Sequence, residues 1–319
     1  MILLVLVIFL ASAPVYIRNE YYIHVLIMMF INILIASGLR LIMTTGLVPF
    51  CHAAFIAIGG YTSSLLVMEA GFNSWIALLI SLATSALIAV SFGFVLLRLK
   101  GAYFFMATAA FGEIVLLIFT RWTKPFGGPA GLIDIPAPSG INIPGIVSIV
   151  FISKTSFYYL VLILTLFAMV IAYRIDRSRL GDIWTGISQT EELAEAVGVS
   201  TMLYKTIAFA LGSCMAALGG VLEAHYLTHI NPSQFGFFAL VNYLVYVIAG
   251  GQRSFIGPIL GTAILMILSE ILGMYESLAY YQVLIYGIVL VLVVLFLPEG
   301  FVSIAEKLSA SWVSKPQTE

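Results

Sequence analysis

Apolar residues fill this chain in long blocks, and most charged residues fall between the blocks. The runs over 22–43, 50–68, 75–97, 101–120, 157–173, 206–229, 237–250, 255–272 and 279–297 are apolar on all sides. A helix of about 20 apolar residues covers a bilayer, whereas barrel strands alternate over about ten. The blocks therefore predict spanning helices. Two are irregular: 50–68 follows Pro49 and ends early, and 237–250 is short. Met1 to Ile17 predicts a further, short span. The alternative there is a signal peptide cut after Ala11-Ser12-Ala13. No Lys or Arg precedes that apolar run, however, and Pro14 follows the cut directly. The expected fold is all-α and polytopic, one transmembrane domain over 1–319 with about ten helices.

Composition supports this reading. Of 319 residues, 62% are hydrophobic and 9% charged, against about 25% charged in an ordinary soluble domain. Fourteen basic and fifteen acidic residues cannot coat a soluble fold of this length; lipid replaces the missing polar surface. The net charge of −1 argues against nucleic-acid binding. Cys51 and Cys214 sit in apolar runs and read as small fillers.

Basic residues orient the spans. With the N-terminus inside, the inner face receives Arg40, Arg98, Lys100, Arg174, Arg177, Arg179, Lys205, Arg253, Lys307 and Lys315. The outer face receives Arg18, Arg121, Lys124 and Lys154. Two connections are long. Residues 121–156, outside, carry Gly127, Gly128, Pro129, Gly131, Pro136, Pro138, Gly140 and Pro144, as a structured or re-entrant loop would. Residues 174–205, inside, hold 9 of the chain's 29 charged residues, its densest cluster. There Ser188-Gln189-Thr190-Glu191 fits a capping box. Glu191, Glu192 and Glu195 suit the first turns of a helix, Leu193 and Val197 share a face, and Gly198 stops it. A short amphipathic helix is expected at 188–198, either as a solvated loop element or as a handle for a cytosolic motor. No G-x-x-x-x-G-K-[ST] phosphate loop occurs, so ATP would have to be hydrolysed by separate chains.

Several stretches, in this order, resemble the LivM-type permeases of branched-chain amino acid ABC importers over roughly residues 35–303. They are His52-Ala53-Ala54-Phe55 with Ile58-Gly59-Gly60-Tyr61; Leu97 to Tyr103 with Phe111-Gly112-Glu113-Ile114; and Gly127 to Gly131. They continue with Arg177 to Gly181 and Ala194 to Gly198; Ala224-His225-Tyr226 with Asn231 to Phe235; Gly250-Gly251 with Ser254, Gly257-Pro258 and Gly261; and Pro298-Glu299-Gly300. The resemblance implies an inner-membrane heterodimer of two related permeases, two ATP-binding subunits and an extracytoplasmic binding protein, with no cofactor in this chain. It implies coupling to the ATPase through Ser188, Glu191, Glu192, Leu193, Glu195, Ala196, Val197 and Gly198. The chain departs from the pattern at Leu47 to Cys51, at Ala102, over Gly181 to Ser188 and at Gln252-Arg253.

Ionisable groups inside a membrane cost about 2.5–3.5 kcal/mol at its centre and need partners or water. His52 and Glu113 therefore either line a path or hold a packed contact. Glycines at Gly59-Gly60 and Gly250-Gly251 either break helices around a midplane site, as in other transporters, or pack helices closely. Glu223, His225 and His229 cluster near one helix end. The two histidines, four apart, would share a helix face, but without a third ligand they read as interfacial groups rather than a metal site. An ion-coupled carrier or channel, a membrane enzyme and a scaffold subunit are the alternatives to a permease. No nucleophile elbow or dinucleotide loop appears for an enzyme.

Overall fold

The computed structural model describes residues 19–143, 147–151 and 153–274, with 12–14, 16 and scattered positions from 281 to 303. Most of the first expected span and most of the tenth lie outside the described residues.

The other eight expected spans each form a helix. They are α1 (Glu20–Met43), α2 (His52–Met68), α3 (Ser74–Leu96), α4 (Ala102–Arg121), α5 (Lys154–Asp176), α8 (Thr201–Leu227), α9 (Phe237–Gly250) and α10 (Gly257–Gly273). Two helices occupy the charged connection, α6 (Arg179–Gln189) and α7 (Glu191–Ala196). Local chemistry fixes several starts. The side chains of Asn19, Asn73, Ser153 and Ser178 each accept a backbone N–H from the first turn of α1, α3, α5 and α6.

The long helix α8 is the axis, packed on α1, α2 and α3. Its small residues Gly212, Ala216 and Gly220 recur every fourth position, letting neighbouring backbones approach where lipid provides no hydrophobic drive. The crossing with α2 is the closest fit. A Cβ on Gly59 would lie 2.3 Å from the Ala217 carbonyl oxygen, and one on Gly220 would lie 2.0 Å from that of Ile56. Helices α9 and α10 form a hairpin against α1, so tight that a Cβ on Gly250 would meet the Gly257 oxygen at 1.9 Å.

The two poles differ. One carries α6, α7 and the turn between α9 and α10. At the other, residues 122–153 form a 3-10 turn (Gly128–Ala130), strand β1 (Leu132–Ile133) and the ribbon of β2 (Ile141–Ile143) with β3 (Val147–Ile149). Strand β1 pairs antiparallel with β4 (His229–Ile230), which follows α8, so the ribbon pole is stitched across the chain.

Candidate functional site

Two segments lose their helix in the interior. After α1 the chain runs irregularly through Leu47 to Cys51 before α2 begins. The Phe50 N–H donates to Thr108 Oγ1 at 3.2 Å, and Gly112 packs against Phe50 and Cys51. Thr108 and Gly112 stand midway along α4, so α2 starts at half depth. From the opposite pole, β4 leads into a 3-10 helix (Pro232–Phe235) and α9 begins at Phe237. Asn231 and Gln234 cap that turn reciprocally. The Phe237 ring lies 6.4 Å from that of Phe50, which itself packs edge-on against Phe105 at 4.0 Å. The two interruptions thus meet. Irregular backbone at membrane depth is tolerated where protein buries it or where it borders a cavity.

A groove opens at this meeting point, bordered by Phe50, Ala53, Gly112, Glu113, Phe237 and Leu240 among others. Glu113 is exposed there and makes no hydrogen bond or ion pair with the described residues. The first turn of α2 and the start of α9 border the same groove. Neither helix has a side-chain cap, since Cys51 and Gly236 precede them. Helix N-termini carry free N–H groups and partial positive charge. One groove therefore combines a carboxylate, two helix N-termini and an aromatic wall.

The six residues singled out for a path occupy different places. Glu113 alone among them is exposed. His52 is fully buried, and its Nε2 lies 3.1 Å from the Ile35 carbonyl, tying the start of α2 to α1. Gly59 and Gly60 face α8 at the helix crossing, and Gly250 and Gly251 lie in the α9–α10 hairpin. Backbone atoms stand 3.0 Å or less from where a Cβ would lie on Gly59, Gly60 or Gly250. Glu223, half-buried on α8, lies within electrostatic reach of Tyr243 on α9. His225 and His229 do not share a helix face: α8 ends at Leu227, Thr228 turns left-handed with φ 61°, and His229 belongs to β4. His225 instead bridges Ser63 Oγ at 2.8 Å and the Pro136 carbonyl at 2.7 Å, clamping the ribbon-pole loop to α2 and α8. No three metal-ligating side chains come together among the described residues.

The charged segment also differs from its expected form. Ser188 is not a helix cap. It lies inside α6 and donates to the Thr185 carbonyl. Thr190 precedes α7 without a side-chain cap bond. Gly198 does end α7, with φ +88°. Its N–H reaches the Glu195 carbonyl at 2.9 Å and the next N–H, of Val199, reaches Ala194 at 3.0 Å, a Schellman closure. Three links fasten this segment to α8. Glu191 meets the buried Lys205 at 2.6 Å, Thr201 Oγ1 donates to Glu195 at 2.8 Å, and the Trp184 indole N–H donates to the Tyr204 carbonyl at 2.9 Å. Burial works against the Glu191 charge, but the hydrogen bond and charge of Lys205, with help from Lys100 and Thr201, hold its carboxyl below the usual range. Leu193 and Val197, in contrast, are 64% and 74% exposed, an apolar pair with nothing over it among the described residues.

Six helical segments among the described residues are long and apolar enough to cross a membrane, and α2 and α10 are shorter apolar helices. Together with the groove at half depth they define a multi-pass membrane protein of transport type. The chain belongs to the family described as branched-chain amino acid transport system / permease component, whose profile matches residues 21–294. It is 27% identical to the high-affinity branched-chain amino acid transport system permease protein LivM of Salmonella typhimurium, over 86% of this chain and 68% of the relative. It is 26% identical to LivH of Escherichia coli over 84% of this chain and 89% of the relative, and 23% identical to the ribose import permease RbsC of Escherichia coli over 83% and 81%. The chain is a permease component and not an enzyme, and family membership sets aside the ion-coupled carrier as well.

Proposed function

We propose that this chain forms one wall of the translocation path of an ATP-driven importer in the bacterial inner membrane, carrying branched-chain or closely related amino acids. A paralogous permease supplies the opposite wall. The observation that carries the reading is Glu113, an exposed carboxylate midway along a spanning helix. Lipid cannot cover it without a cost of about 2.5–3.5 kcal/mol, so a water-filled path or a partner must. The groove suits an amino acid because it offers both charges of a zwitterion a counterpart: Glu113 for the ammonium, the N–H groups at the starts of α2 and α9 for the carboxylate. Phe50, Phe237 and Leu240 face the side chain. A selective binding protein docks at the ribbon pole, where β1, β4 and the Pro232–Phe235 turn converge. ATP binds to partner subunits, which grip α7 through Leu193 and Val197. Force then passes to the axis α8 through Glu191, Glu195 and Trp184.

The test is Glu113→Gln in the assembled importer, reconstituted with its binding protein. Uptake is expected to fall at least tenfold while assembly and ATP hydrolysis persist. Unchanged uptake would remove Glu113 from the path; loss of the second permease from the purified complex would place it at the subunit interface instead.

A further inference from the structure

One buried guanidinium joins the charged pole together. Arg40, in the last turn of α1, is 5% exposed. Its Nη1 and Nη2 fork onto both oxygens of Asp176, at 2.8 and 3.3 Å. Asp176 is the last residue of α5, and α6 begins three residues later. The same guanidinium donates from Nη2 to the Arg253 carbonyl at 3.2 Å and from Nε to the Gln252 carbonyl at 3.3 Å. Both carbonyls belong to the turn between α9 and α10. Phe255 from that turn lies under the guanidinium at 5.8 Å and packs edge-on with Tyr173 of α5. A second contact joins the same elements, since Gly46, just past α1, packs against Ser188 at the end of α6.

Arg40 therefore stands between the α6–α7 segment and a hairpin whose far end borders the groove. Helix α9 is 14 residues long, with Gly250 at the turn and Phe237 and Leu240 on the groove. The guanidinium serves a carboxylate and two carbonyls at once, and the charge-assisted fork is the stronger bond. Were Asp176 to move with the α6 segment that follows it, Arg40 would follow the carboxylate and leave the two carbonyls without their donor. The turn would then be free to shift, and α9 with it.

We propose that Arg40 is a positioning residue of the transport cycle, transmitting displacement of the α6–α7 segment to the α9–α10 hairpin and so to the groove. The inference rests on the reading of α7 as the ATPase-facing handle. It is tested in the full reconstituted importer by measuring uptake and ATP hydrolysis side by side. Asp176→Asn keeps the shape but weakens the fork, leaving Arg40 with the carbonyls. Arg40→Lys keeps the charge, but its single ammonium cannot serve all three acceptors. Each variant is expected to assemble, to hydrolyse ATP within twofold of wild type and to lose uptake at least tenfold. Uptake within twofold of wild type in assembled D176N overturns the proposal. So does a proportional fall of hydrolysis and uptake in both variants, which a merely structural role would give. A Leu193→Asp control separates the two readings: if its ATPases stay bound, the reading of α7 has failed, and transmission through Arg40 falls with it.

Discussion

At the scale of single residues, stability here is decided by missing atoms more than by present ones. Gly220 lets α8 lie against the backbone of Ile56, and any Cβ there meets a carbonyl oxygen at 2.0 Å that no rotamer change can move. Gly220→Ala must push two helices apart, at a cost of about 1–3 kcal/mol by comparison with overpacked cores. Gly186, exposed within α6, has nothing within 4 Å of the added methyl. There the same substitution removes only the conformational freedom of glycine, so Gly186→Ala gains about 0.5–1 kcal/mol of helix stability. The thermal midpoint in detergent should therefore drop for G220A and hold or rise for G186A. Equal midpoints would mean that the crossing of α2 and α8 is looser than its geometry. The sequence displays both glycines alike. Their opposite roles depend on what lies opposite each, and for Gly220 that is a residue of a distant helix.

At the scale of elements, apolar run length was enough to place eight helices, and Pro49 marked the irregular approach to α2. That α2 begins at half depth was not legible, because it follows from contacts of Phe50 and Cys51 with Thr108 and Gly112, far along the chain. Glu113 was visible as a charge in an apolar run, whereas its groove needs Phe237 and Leu240 from beyond α8. Helix α6 was missed although signals existed: Ser178 caps it, and Leu180, Trp184 and Ile187 share one face. Gly181, Thr185 and Gly186 dilute that pattern with poor helix formers. The supposed cap at Ser188 failed for the same reason, since the serine lies within the helix that went unread. For α7 the attachment carries a pH dependence. The Glu191 carboxyl is held below its ordinary range in the folded chain. Its contribution is thus present above the ordinary carboxylate pKa of about 4.3 and is lost as pH falls through the lower, folded value. Amide protection over residues 190–198, taken relative to the intrinsic exchange rate at each pH, should fall in that acid range. Glu191→Gln should show faster exchange already at neutral pH, with the spanning helices unchanged; identical exchange in the variant would refute the anchor.

At the scale of the whole molecule, the two poles have different work. The charged pole gathers α6, α7, Arg40 and Lys205, and the basic residues favour placing it in the cytosol. A cysteine at Gln189, on the exposed end of α6, should be labelled by a membrane-impermeant thiol reagent only from the cytosolic side of oriented vesicles. Labelling from the outside alone would invert the molecule and detach it from any ATPase. The crossing of α2 on α8 has one more consequence, in time rather than space. Ile56 emerges from the ribosome about 160 residues before Gly220 (56 against 220). At 5–20 residues per second that interval is roughly 8–30 s. Throughout it, a 17-residue helix at the short limit for a span, preceded by five residues of irregular backbone, waits for the neighbour that will enclose it. That stretch is therefore expected to need shelter from lipid until α8 has been made.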